Sequence, residues 1–194
     1  MYELPTTVDI DGNVFHIRRK GDFRVILDCF AALQDDELDK EYKILTAIII
    51  FYEEFDSLED TNKYSEFLEK LTLEMFKFIN CGQDNQRGAE SEISLINWED
   101  DSQIICAAVN NVAKQEVRIL EYLHWWTFLG YYMSVGQSVL STVVSIRDKV
   151  YRGKKLDKWE QDFKKENPQF FVRKQPTIER EFEKELRNLW NGGD

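Results

Sequence analysis

Residues 117–135 read VRILEYLHWWTFLGYYMSV, and no other stretch of the chain packs large apolar side chains so densely. Placed at 100° per residue, Ile119, Tyr122, Leu123, Trp126, Leu129, Gly130 and Met133 fall on one face, and Trp125, Phe128, Tyr132 and Val135 on a second. A helix that is apolar on two faces is buried on both. The spacing predicts a central helix over this stretch, with a structural core of Leu123, Trp125, Trp126, Phe128 and Leu129. Two adjacent tryptophans bring large apolar area and two indole N–H groups that must find acceptors. His124 stands just before them. General acid–base work would need a neighbouring carboxylate and a cleft. The only acid within a helical turn is Glu121, so His124 is assigned to the core.

The elements on both sides read as an N-terminal hairpin and a series of helices. Asp11-Gly12 lies between the alternating runs Thr6–Ile10 and Asn13–Arg18, which predicts a hairpin with a type I′ turn. His16 lies in its second strand and is read as surface or hairpin packing. Asp22 is a suitable N-cap for a helix through Phe23, Ile26, Leu27 and Phe30. Asp35 or Asp36 is expected to open the next helix, with Leu45, Ile48, Tyr52 and Phe55 on its apolar side. The run from Tyr64 to Ile79 predicts an amphipathic helix with Gly82 as its C′ residue and a Glu66–Lys70 pair on its polar face. Residues 83–94 are polar, lack a period and read as a loop. A helix from about Asp100–Ser102 follows, then the central helix, a break at Gly136, and a helix carrying Val139, Val143, Ile146 and Val150. Leu156–Glu166 predicts a short polar helix stopped by Asn167-Pro168. Phe170-Phe171-Val172 reads as an extended docking segment, and Ile178, Phe182, Leu186 and Leu189 form a narrow apolar stripe on a last, charged helix. The fold expected is mainly α: a helical body over 1–166 with the N-terminal hairpin, and a helical extension over 167–194.

Composition narrows the function. A net charge of −11 argues against binding nucleic acid or an anionic membrane, which draws on clustered lysine and arginine. With 43% hydrophobic and 13% aromatic residues the chain can build a core rather than remain disordered. Cys29, Cys81 and Cys106 are scattered and odd in number, so free thiols of a reducing compartment are expected, not disulfides or a zinc site. The opening MYELPTT lacks the pattern of a secretory leader. The longest apolar run, Ile44–Tyr52, falls far short of the roughly 18 residues of a membrane span. A soluble, cytoplasmic protein is expected.

The sequence holds no GxxxxGK[ST], GxSxG or HExxH motif, and no GxGxxG after a strand. Asp35-Asp36-Glu37 and Glu99-Asp100-Asp101 suit helix N-termini. No enzyme activity and no cofactor or metal are expected.

Three pieces together carry a family resemblance: Leu4-Pro5-Thr6-Thr7-Val8 with Asp11-Gly12 and Asp22-Phe23-Arg24; the helix end at Cys81-Gly82; and Asp100/Asp101, Ile105 and Ala107-Ala108 leading to Leu123-His124-Trp125-Trp126, Phe128 and later Ile146-Arg147. The pattern, over roughly residues 4–150, resembles the phage "protein fifteen" family of long-tailed bacteriophages and prophages of Gram-positive hosts. Such proteins are typically encoded between the major tail protein and the tape-measure protein. The resemblance implies an all-α, non-enzymatic tail-assembly chaperone acting in the host cytoplasm, with the tape-measure protein or other tail proteins as partner. The alternative is a structural virion component of the tail or head–tail connector. Self-association is left open by the sequence. The partner-binding candidates are Phe170, Phe171, Phe182, Leu186, Leu189 and Trp190, since a helix-in-groove contact uses such an i, i+4, i+7/8 stripe.

Overall fold

Asp11 and Gly12 take φ values of 55° and 84°, the left-handed pair that a type I′ turn demands, and so close the N-terminal hairpin. In the computed structural model, which describes residues 3–35, 37–82 and 95–171, the rest is mainly helical. The chain falls into two compact units, one within Met1–Gly88 and Leu120–Gly130, the other within Ala89–Ile119 and Tyr131–Asp194.

The first unit opens with β1 (Thr7–Ile10) and β2 (Asn13–His16), paired antiparallel with Val8 opposite Phe15 and Asp9 opposite Val14. Val8, Ile10 and Phe15 turn inward, as the period of two requires. A hairpin of two four-residue strands is not stable alone, and this one leans on aromatic neighbours. Phe15 packs against Tyr52, Phe55, Tyr64 and Phe67 with ring centroids 5.6–6.4 Å apart.

Four helices follow in this unit: α1 (Phe23–Gln34), α2 (Lys40–Phe51), α3 (Leu58–Lys63) and α4 (Leu68–Ile79). Asp22 caps α1 as expected, its carboxylate accepting from the Arg24 amide at 3.1 Å. α2 begins at Lys40 behind Asp39, not behind Asp35 or Asp36; Asp35 instead follows α1, where its carboxylate accepts from the Glu37 amide at 2.9 Å. α2 also ends at Phe51, earlier than its apolar period suggests. Tyr52 pairs with Ile17 in an isolated bridge, and Arg18 donates to the carbonyls of Ile49, Ile50, Tyr52 and Phe55 at 2.6–3.1 Å. The expected helix from Tyr64 is split. Ser65–Phe67 form a 3-10 turn, and α4 starts only at Leu68. Glu66 therefore lies outside α4, and Lys70 pairs with Asp11 of the hairpin turn instead.

α4 ends in a Schellman motif. The Cys81 amide donates to the Phe78 carbonyl at 3.0 Å and the Gly82 amide to the Lys77 carbonyl at 2.8 Å. The left-handed C′ position is Cys81, at φ 55°, and Gly82 is the residue after it.

The expected helix over 117–135 begins only at Trp125: α6 runs Trp125–Met133. Val117–Ile119 form a 3-10 turn, and Ile119 and Met133 are 81% and 78% exposed. The reason lies in α1. The Leu123 carbonyl accepts from the Phe23 amide at 2.9 Å, and the Leu123 amide donates to the Asp22 carboxylate at 3.0 Å, so these groups are spent outside any helix. Trp125 and Phe128 are buried to 1%, Leu123 is buried, and Trp126 and Leu129 are half-buried. Within this unit the Trp125/Phe128 face is the covered one, with Phe128 stacked on Phe23 at 4.5 Å and Trp125 edge-on to Phe30 at 5.9 Å.

The second unit holds α5 (Ser102–Ala113), α7 (Val139–Tyr151) and α8 (Lys158–Glu166), with the last residues of α6. α5 starts behind Asp101 and α7 after the break at Gly136, as expected. Ser138 and Ser141 cap α7 reciprocally. Asp157 and Glu160 form the equivalent box on α8. Pro168–Phe170 is a 3-10 turn, so this part of the 170–172 segment is not extended. Val172 and the expected helix carrying Phe182, Leu186, Leu189 and Trp190 lie outside the described residues, as do 83–94. Among the described residues no helix is long and apolar enough to cross a membrane.

Candidate functional site

The Leu-His-Trp-Trp block occupies a node where distant parts of the first unit are tied by side chains. Both indoles reach the end of α4. Trp125 Nε1 donates to the Ile79 carbonyl and Trp126 Nε1 to the Phe78 carbonyl, each at 2.8 Å. These are carbonyls of the last helical turn, which has no partners within the helix. The tryptophan pair therefore caps a helix 46 and 48 residues earlier in the chain.

His124 is buried and uses both ring nitrogens. Nδ1 accepts from the Trp126 amide at 3.1 Å, which assigns the proton to Nε2, and Nε2 donates to the Pro5 carbonyl at 3.0 Å. The ring also packs edge-on against Phe78 at 5.4 Å. Burial lowers the His124 pKa from its ordinary value, while the Pro5 hydrogen bond opposes that shift. A protonated ring would lose the acceptor that Trp126 needs.

The folded pKa lies below the unfolded value of about 6.5, so protonation favours the unfolded chain. Stability is full above that value and falls as pH drops through it toward the folded pKa. Denaturation midpoints measured from pH 7.5 to 5.5 are expected to decline for the native chain and to stay flatter for His124→Gln. Equal slopes would remove His124 from this role.

Asp22 is fully buried beneath the same node. Its carboxylate accepts from the Arg24 guanidinium at 2.9–3.0 Å and from the Leu123 amide, and Arg24 also donates to the Leu120 carbonyl at 2.6 Å. In the sequence Asp22 reads as a helix cap and as part of the Asp22-Phe23-Arg24 fragment of the family pattern. The Leu123 amide lies 101 residues from Asp22 and the Leu120 carbonyl 96 residues from Arg24, and no local spacing signals either contact.

The turn leading into this node is tight. Arg19, Lys20 and Gly21 have φ of 49°, 54° and 77° in succession. A methyl at Gly21 would stand 2.6 Å from Phe78 Cζ and 3.1 Å from His124 Nε2. Gly21→Ala is expected to cost about 1–3 kcal/mol from backbone strain alone, with the Phe78 clash added. Urea denaturation of the variant checks this, and an unchanged midpoint would contradict it.

The second unit has its own buried ion pair. Arg147 of α7 meets Asp101 with Nη1 at 2.6 Å and Nη2 at 2.9 Å, and both side chains are buried. Arg147 also donates to the carbonyls of Leu95 and Phe170. Asp101 in turn accepts from the Asn97 amide at 2.9 Å. One guanidinium thus holds the entry to α5 and the 3-10 turn after α8 on α7.

The partner-binding candidates divide. Phe170 and Phe171 are half-buried: the Phe170 carbonyl serves Arg147, and the Phe171 ring sits edge-on to Phe163 at 6.3 Å. Phe182, Leu186, Leu189 and Trp190 lie outside the described residues. The three cysteines are free. Cys29 and Cys106 are buried, Cys81 is half-buried, and burial pushes all three thiols above their ordinary pKa. Among the described residues no group of three His, Cys, Asp or Glu side chains could hold a metal ion.

Chemically, the ionisable groups gathered around His124 and around Arg147 hold backbone together. His124, Asp22, Arg24, Asp101 and Arg147 each direct their polar atoms at main-chain amides or carbonyls, or at one another. A protein-family model described as bacteriophage Gp15 protein matches residues 1–169 of this chain. No curated protein and no solved structure matches it.

Proposed function

The chain belongs to the bacteriophage Gp15 protein family, and from that premise we propose that it is a tail-assembly chaperone that binds the tape-measure protein while the tail is built. The supporting observation is where the polar chemistry is spent. His124, Asp22, Asp101 and Arg147 spend their polar atoms on main-chain groups and on one another, which suits a scaffold for protein contacts rather than a reaction centre. Beyond residue 169 the sequence continues into the apolar stripe Phe182, Leu186, Leu189 and Trp190 with acidic neighbours. Such a stripe suits an amphipathic helical partner, and its charges discourage self-aggregation. The protein acts without catalysis or cofactor, in the cytoplasm of the infected host.

Co-expression with the tape-measure protein tests this. A soluble complex is expected, and removing the side chains of the stripe by Phe182→Ser with Leu186→Ser should weaken it. His124→Gln should leave it intact. Absence of any complex with the unaltered chain would overturn the proposal.

A further inference from the structure

We propose that the open edge of β1 takes an extended, basic segment of a partner protein as a third strand beside the hairpin. The register fixes which groups face outward. The Ile17 amide donates to the Thr6 carbonyl at 2.9 Å, so the hydrogen-bonded pairs run Thr6–Ile17, Val8–Phe15 and Ile10–Asn13. The amides and carbonyls of Thr7 and Asp9 therefore point away from β2. Among the described residues no group meets them. The β2 side differs at His16, whose amide donates to the Glu54 carboxylate at 2.8 Å and whose carbonyl accepts from the Glu53 amide at 2.9 Å. An unpaired edge is a template for another strand.

A groove of about 200 Å³ opens between the end of β1 and α4, lined by Asp9, Ile10, Asp11, Lys70, Leu73 and Glu74. Side chains of an added strand would alternate between two faces. Those opposite Thr7 and Asp9 share their exposed face. Those between share the inward face of Val8 and Ile10, beside the half-covered Leu73. The first set should therefore be polar and the second apolar.

Charge selects the occupant. Lys70 pairs with Asp11 and Lys77 with Glu74. Asp9 has no cationic partner among the described residues; its carboxylate accepts from the Gly12 amide at 2.9 Å. A lysine or arginine opposite Asp9 would complete a cross-strand ion pair. A second copy of this chain would bring its own Asp9 and Asp11 to the edge, in a protein of net charge −11, so charge disfavours self-pairing. The fitting occupant alternates basic and apolar side chains and is held by main-chain hydrogen bonds.

This contact does not depend on the chaperone role: a chain that fails to bind the tape-measure protein should still take the strand. Hydrogen exchange at single amides, read by NMR on the full-length protein, tests it with a short acetylated and amidated peptide of alternating lysine and valine. At saturation the Thr7 and Asp9 amides should exchange roughly tenfold or more slowly. N-methylation of the peptide's lysine amides, which face β1 in this register, should abolish the effect, and N-methylation of its valine amides should not. Glutamate in place of lysine, or Asp9→Asn in the protein, should weaken binding. So should Thr7→Pro, which removes an outward N–H and spares the ladder to β2. Unchanged exchange at Thr7 and Asp9 would overturn the proposal, as would equal slowing by the lysine-methylated peptide or equal binding of the glutamate peptide. Slowing that grows with protein concentration in the absence of peptide would make a second copy the occupant and overturn it as well.

Discussion

Trp125→Ala is expected to lower the stability of the first unit by about 3–5 kcal/mol, the cost of deleting a buried large aromatic. The side chain is 1% exposed and packs against Phe30 and Phe128. Its loss also strips the Ile79 carbonyl of its donor at the end of α4. Trp126→Ala should cost distinctly less, because Trp126 is half-buried and the Phe78 carbonyl it serves keeps the Cys81 amide as a donor. Trp125→Phe should fall between, losing the N–H and part of the ring. Urea denaturation of the three variants gives the ranking. Equal losses for the two alanine variants would place the covered face of α6 wrongly.

Arg147→Met carries the second large effect, about 3–5 kcal/mol, because it leaves the Asp101 carboxylate charged and buried without its partner. Leu95 and Phe170 lose their donor at the same time. The double variant Arg147→Met with Asp101→Asn should be less damaging than the sum of the two single changes, since the stranded charge is gone. A double-mutant cycle measures the difference, and strict additivity would show that the pair is not coupled. Selective loss of amide protection in α5 and the 168–170 turn should accompany the single Arg147→Met change.

Much of the helical order was legible because it is local. Asp22, Gly136 and Asn167-Pro168 marked helix ends by capping or breaking chemistry that operates within a few residues, whereas the Asp101 carboxylate at the start of α5 makes no cap and goes to Arg147. The Asp11-Gly12 turn was legible for the same reason. The misreadings share a different cause. The apolar period across 117–135 is real, but the backbone at Leu123 is captured by Asp22 and Phe23, and no periodicity reports a partner 101 residues away. Lys70 chose Asp11 over Glu66 because the 3-10 turn at 65–67 takes Glu66 out of helical register. Cys81, not Gly82, took the left-handed position at the end of α4.

The node around His124 was half legible. The need of two indole N–H groups for acceptors could be stated from sequence, and so could the core placement of His124. That the acceptors are α4 carbonyls, and that His124 reaches Pro5, depends on tertiary placement. Asp22–Arg24 and Asp101–Arg147 appeared in the sequence only as caps and as fragments of the family pattern. The burial of Asp22 beneath Arg24 and of the whole Asp101–Arg147 pair is a property of the fold.

Quantitative mass spectrometry of infected-cell lysate and of purified virions tests the chaperone role most directly. The protein should be present in the lysate, co-fractionating with the tape-measure protein before tails are complete, and absent from finished particles. Its presence in purified tails at a fixed copy number, with no lysate complex, would contradict that role and make it a structural component of the virion.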